Sequence, residues 1–130
     1  MQSQSDSAGV AVPLATVLVV EDEILVRIAT SRYLRDVGFD VIEAVSADEA
    51  VDVLRAGPRV HAVFADVKLP GTLNGAELAQ MVRRDHRQVK VLLTSGVTPF
   101  PEIEGVQLLK KPYFLFDVER ALKSMLSLGR

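Results

Sequence analysis

Five short apolar stretches recur along the chain, and their spacing constrains the fold more than any other feature. They are VLVV (17–20), DVIEA (40–44), VHAVFA (60–65), VKVLL (89–93) and a short fifth, VQLL (106–109). A brief apolar run bounded by turn residues is the pattern of a strand covered on both faces. Helical periodicity fills the intervals. Ile24 to Val37 carries apolar residues at 24, 25, 28, 34 and 37, and Gly38 closes it. Ser46 with Glu49 three residues on gives capping-box spacing for a second helix, which Gly57-Pro58 ends. The turn-rich segment LPGTLNG (69–75) leads into a third helix through about His86. Phe114 to Leu128 forms the last, with its stripe at 118, 121, 122, 125 and 126. This alternation predicts an α/β fold with a doubly wound parallel sheet and helices on both faces.

One interval departs from the pattern. SGVTPFPEIEG (95–105) carries Pro99 and Pro101 and little apolar periodicity. Proline inside a helix costs about 3 kcal/mol, so the helix between the fourth and fifth strands is predicted to be short or absent.

With 130 residues, 48% hydrophobic, the chain suits one domain with a full core. Residues 1–13 are small or polar and read as a flexible tail before a domain over 14–130. A net charge of −2 argues against nucleic-acid binding. The absence of cysteine excludes disulfides, thiolate catalysis and cysteine-based zinc sites. AVPLATVLVV is too short to span a bilayer and lacks the basic segment of a signal peptide. A soluble, cytoplasmic protein is expected.

The polar residues converge where the strands end. In an open parallel sheet ligands bind beyond the carboxyl ends of the strands. There lie Glu21-Asp22 after the first strand, Asp66 after the third, Thr94 after the fourth and Lys111 after the fifth. Like charges at about 4 Å repel by roughly 4 kcal/mol near a protein surface, so the EDE triplet calls for a compensating cation. Mg²⁺ suits an all-oxygen set with few carboxylates. Glu23 alone reads as a helix N-terminal acid.

VLVVEDE, VFADVKLPGTLNG, LLTSG and LLKKPY, in this order over residues 15–128, resemble the response-regulator receiver domains of bacterial two-component signalling. The resemblance implies a flavodoxin-like (βα)5 sheet of order 2-1-3-4-5. It implies Asp66 as phosphoacceptor from a phosphohistidine, and Mg²⁺ held by Asp22, Asp66 and the backbone carbonyl of Lys68, with Glu21 acting through water. Thr94, with Ser95 as fallback, matches the hydroxyl that moves toward the phosphoryl group. Lys111, favoured over Lys110 by the proline that follows, matches the lysine that pairs with a phosphoryl oxygen across a cis bond to Pro112. Expected partners are a sensor histidine kinase or histidine phosphotransfer protein and a downstream protein, with a monomer or weak homodimer, no nucleic acid and no membrane. Docking in the family uses the first helix and the site rim, here Ile24, Ile28 and the 111–114 turn.

Two departures concern transmission. Leu108 stands where receivers usually carry an aromatic residue, and the Thr94–Lys111 interval is short for the family. Loop 95–105 is therefore expected to be the moving element. The chain ends with its last helix, as expected of a stand-alone receiver or of one excised from a longer protein. Three rivals remain. A haloacid-dehalogenase-type phosphatase needs an acid where Lys68 stands. A flavodoxin-like cofactor binder needs a phosphate cradle that EDE would repel. A degenerate receiver acting as a scaffold would not need the full acid, hydroxyl and lysine set. The side chain of Lys68 is expected in solvent, and His61 and His86 are expected to be structural or surface residues.

Overall fold

The protein was analysed as a computed structural model, which describes residues 12–96 and 102–128. Its five strands are β1 (Thr16–Val20), β2 (Asp40–Ala44), β3 (Ala62–Asp66), β4 (Lys90–Ser95) and β5 (Val106–Lys110), all parallel, in the order β2-β1-β3-β4-β5. Four helices join them among the described residues: α1 (Ile24–Asp36), α2 (Ala47–Ala56), α3 (Gly75–Asp85) and α4 (Leu115–Met125).

Successive strand residues face opposite sides, which divides the core in two. Leu18, Val63, Val91 and Leu93 pack with Leu54 of α2 and with Leu78 and Val82 of α3. On the other face Val17, Val19, Phe64 and Leu92 pack with Leu34 of α1 and with Val118 and Leu122 of α4. Each such side chain contributes roughly 1.5–3 kcal/mol when fully buried, so the three central strands are clamped between helix layers. The polar residues at their carboxyl ends are thereby held at fixed positions.

The helix ends follow from local chemistry. Gly38, at φ +111°, lies just beyond Val37, the C-cap of α1; its N–H donates to Arg35 O and Phe39 N–H donates to Leu34 O. That bond pair is a Schellman motif, which favours glycine at its left-handed position. Ser46 Oγ accepts from Glu49 N–H as the spacing predicts, but Glu49 reaches back to Val45 N–H, not to Ser46. A full capping box sits instead at Asn74 and Glu77, opening α3.

Several boundaries differ from expectation. β3 begins at Ala62, two residues late, with His61 N–H donating to Thr16 O just before it. α4 stops at Met125, because Leu126 caps it and Ser127 turns left-handed at φ +56°. β4 continues through Thr94 and Ser95, beyond the apolar run. Residues 102–105 lead into β5 without a helix. Residues 97–101, on which the shortened-helix and moving-loop expectations fall, and residues 1–11, on which most of the tail falls, lie outside the described residues.

Candidate functional site

Asp66 closes β3, and its partner in register on β4 is Thr94. Glu21 and Asp22 follow β1, and Lys111 follows β5. The strand order therefore brings the sequence-predicted residues to one edge of the sheet.

The acidic loop is pinned from several sides. Glu21 N–H donates to Ala44 O at 3.0 Å, and Arg27 donates to Glu21 O at 2.9 Å. Glu21 Oε2 accepts from Glu23 N–H at 3.0 Å. Glu23 Oε1 accepts from Leu25 N–H at 2.8 Å and Val26 N–H at 3.2 Å, making it the N-cap of α1, a role consistent with its reading as a helix N-terminal acid. Burial is the main cause pushing the Glu21 carboxyl above its ordinary 4.5. The Glu23 N–H opposes that shift, while a hydrogen bond that the protonated Glu21 carboxyl donates to Asp22, and the charges of Asp22 and Asp66, add to it.

Asp66 is held at both oxygens. Lys68 N–H donates to Oδ1 at 2.9 Å, and the Lys111 ammonium donates to Oδ2. The carboxylate is largely covered, at 13% exposure, and the lysine less so, at 41%. The turn beyond Asp66 is tied by Val67 N–H to Thr94 O and by Gly75 N–H to Val67 O. Asp48 secures its far side, accepting from Thr72 Oγ1 at 2.6 Å. The side chain of Lys68 is exposed, as expected. Lys110 is also exposed, within β5. The Lys111–Pro112 bond is cis, in keeping with the resemblance.

Thr94 is buried, at 2% exposure, and lies beside Asp66 in register on the neighbouring strand. Tyr113 lies edge-on to Phe64, with ring centroids 6.2 Å apart. Burial, then the charges of Glu21 and Asp66, raise its phenol above the usual 10.0, with the Thr94 hydroxyl opposing them. The phenol thus stays neutral beside the acids. Sequence reasoning missed this residue. Its signal was an aromatic side chain two positions beyond a lysine at a strand end.

Together Glu21, Asp22, Asp66, Lys111, Pro112 and Tyr113 line a cleft of about 650 Å³, with Glu23 and Val26 at its edge. Among the described residues no three carboxylate or imidazole groups close up as a ready ligand set. The donor chemistry nevertheless suits a hard cation: Glu21, Asp22 and Asp66 offer carboxylate oxygens to one cleft, and Asp66 has already drawn a positive group to its side. His61 and His86 lie away from the cleft. His61 Nδ1 accepts from Thr16 N–H at 3.0 Å, and His86 is the C-cap of α3. Leu108 is half-buried against the α2–α3 face of the core.

The family model described as response regulator receiver domain matches residues 17–107. The chain belongs to that family. Its receiver domain is 34% identical over 119 residues to the sensor kinase CckA of Brucella abortus (strain 2308), covering 86% of this chain but only 12% of that kinase. The crystal structure of the receiver domain from the hybrid histidine kinase CckA superposes with a TM-score of 0.73 at 29% identity, covering 85% of this chain and 98% of that one. TrrA of Thermotoga maritima, solved in complex with Mg²⁺-BeF, shares the fold at a TM-score of 0.77 and 22% identity, over 86% of this chain and 99% of its own. Receiver domains are signalling domains, and both the flavodoxin-like architecture and the strand order expected from the sequence are present. Among the described residues no helix is long and apolar enough to cross a membrane.

Proposed function

We propose that this receiver domain accepts a phosphoryl group on Asp66 from a phosphohistidine of a sensor histidine kinase or histidine phosphotransfer protein, and signals by conformational change to a protein partner. The observation that carries the reading is the setting of Asp66: a strand-end carboxylate gripped by Lys111 and by Lys68 N–H, with Glu21, Asp22 and Thr94 around it. In the transfer, a carboxylate oxygen of Asp66 attacks phosphorus, the P–N bond to the imidazole breaks, and the imidazole leaves with the electron pair. Lys111 exchanges its contact with Asp66 for one with a phosphoryl oxygen, so a compact ammonium follows the charge. Thr94 donates its hydroxyl to another phosphoryl oxygen. Mg²⁺, held by Asp22, Asp66 and the carbonyl of Lys68, and through water by Glu21, would supply the remaining neutralisation that phosphoryl transfer requires.

Residues 14–130 form the working unit, with residues 1–13 a tail, in the cytoplasm, as a monomer or weak homodimer. Docking to the phosphodonor uses the first helix, where Ile24 and Ile28 are exposed, and the 111–114 turn, where Phe114 is exposed. The protein is treated with acetyl phosphate and Mg²⁺, trapped with borohydride and mapped by peptide mass. Conversion of the residue at 66 to homoserine supports the reading; reduction at any other carboxylate contradicts it.

A further inference from the structure

A second cavity, of about 430 Å³, opens at the opposite edge of the sheet, where the chain enters β3 and β4. Leu54, Val60, Val89 and Leu126 give it an apolar lining, and Arg59, His61, His86 and Arg87 a cationic one. Among the described residues no carboxylate lines it. Its size and mixed lining are those of a small-molecule site.

His61 is fixed at this cavity by the sheet itself. His61 N–H donates to Thr16 O at 2.9 Å, and Lys90 N–H donates to His61 O at 3.0 Å, which stitches residue 61 between β1 and β4. On the side chain, Nδ1 accepts from Thr16 N–H at 3.0 Å. A neutral imidazole has one lone pair and one N–H. With the lone pair spent at Nδ1, the proton sits on Nε2. Yet Arg59 Nε stands 3.0 Å from that same Nε2, and a guanidinium N–H can only donate. Two donors therefore face each other, a conflict that an oxyanion accepting from both would resolve.

The positive charge here exceeds what the fold uses. The carboxyl-terminal ends of α2 and α3 bring partial negative charge to this edge, and Arg55, Arg83 and Arg84 in their last turns balance it. Arg84 pairs with Asp85, and Arg83 donates to the carbonyls of Arg87 and Val89. Arg59 and Arg87 lie beyond those turns. Neither pairs with a carboxylate among the described residues.

We propose that this cavity binds a small phosphomonoester with an apolar body. A phosphate dianion matches the two guanidinium charges of Arg59 and Arg87, and the guanidinium fork suits phosphate oxygens. The Nε2–H of His61 adds a neutral donor, and Leu54, Val60, Val89 and Leu126 take the body of the ligand. The site lies before β3 while Asp66 closes that strand, so this inference does not rest on phosphoryl acceptance.

The chain has two histidines and both line this cavity, so their imidazole proton resonances report on it directly. Phenyl phosphate, a dianion on an apolar ring, is titrated by NMR at constant pH and ionic strength. Both imidazoles are expected to shift along one saturating curve. Inorganic phosphate cannot fill the apolar part and should bind about tenfold more weakly, or weaker still. Arg59→Gln keeps a polar side chain without the charge and should weaken phenyl phosphate about tenfold, the worth of one charged hydrogen bond. Absent or unsaturable shifts overturn the inference, and so does an Arg59→Gln protein that binds as the native chain does. Inorganic phosphate binding as tightly as phenyl phosphate overturns it equally, because the apolar lining would then contribute nothing. Should Arg59→Gln fail to fold, Arg87→Gln carries the same expectation, and the two ligands compared on the native chain still decide.

Discussion

Gly75 lies flat against the backbone of Asp66: a Cβ at position 75 would stand 2.0 Å from the Asp66 carbonyl oxygen and 2.9 Å from Val67 Cα. Both neighbours are main chain, so neither yields by a rotamer change. Gly75 is also the first residue of α3, and its N–H closes the turn onto Val67 O. One small residue thus sets how tightly the chain folds back behind the phosphoacceptor. Gly75→Ala is expected to cost about 2 kcal/mol or more in denaturant unfolding. It should also slow phosphoryl acceptance, by moving Asp66.

Ser31 is fully buried on α1, and its hydroxyl has no hydrogen-bond partner among the described residues. An unsatisfied buried hydroxyl is a cost, and alanine is the better helix former. Ser31→Ala should raise stability by about 1 kcal/mol, read as a higher denaturation midpoint at unchanged slope.

α1 and α4 are joined by a polar contact with a defined pH signature. Glu119 accepts from Tyr33 Oη at 2.5 Å and from Lys123 Nζ at 2.8 Å. These partners, Lys123 first, hold its carboxyl below the ordinary 4.5. A carboxyl depressed in the folded state stabilises above its unfolded pKa, and the gain is lost as pH falls through the folded value. Glu119→Gln should therefore be less stable than the native chain at pH 7. The gap should close as the pH falls below the ordinary carboxylate range. Thermal melts of both proteins across that range check the sign.

Much of this architecture was legible because burial on both faces writes continuous apolar runs into the strands. VLVV and VKVLL could hardly be exposed. The site was legible for a related reason: Glu21, Asp66, Thr94 and Lys111 each follow such a run, and parallel strands bring those ends together. Less was visible where long-range contacts decide. Thr94 and Ser95 join β4 because Asp66 and Lys110 lie beside them in register. No local pattern reveals that. The close approach of Gly75 to Asp66 spans eight intervening residues, and Asn-Gly in the sequence signals only a helix start. Tyr113 reads as one more apolar residue before α4, until the fold sets its ring against Phe64 in the wall of the cleft.

Mutual repulsion at Glu21, Asp22 and Asp66 predicts that divalent ions stabilise the folded chain. Binding to the native state alone adds RT ln(1 + [L]/Kd), about 1.4 kcal/mol at ten times Kd. The melting temperature should rise with Mg²⁺ and rise much less in Asp22→Ala. An equal rise in both proteins would place the ion elsewhere.

Phosphoryl acceptance at Asp66 is tested most directly by intact mass after exposure to acetyl phosphate, with and without Mg²⁺, for the native protein and Asp66→Asn. The native chain should gain one phosphoryl group only when Mg²⁺ is present, and Asp66→Asn should gain none. A gain that persists in Asp66→Asn, or that ignores Mg²⁺, would contradict the account.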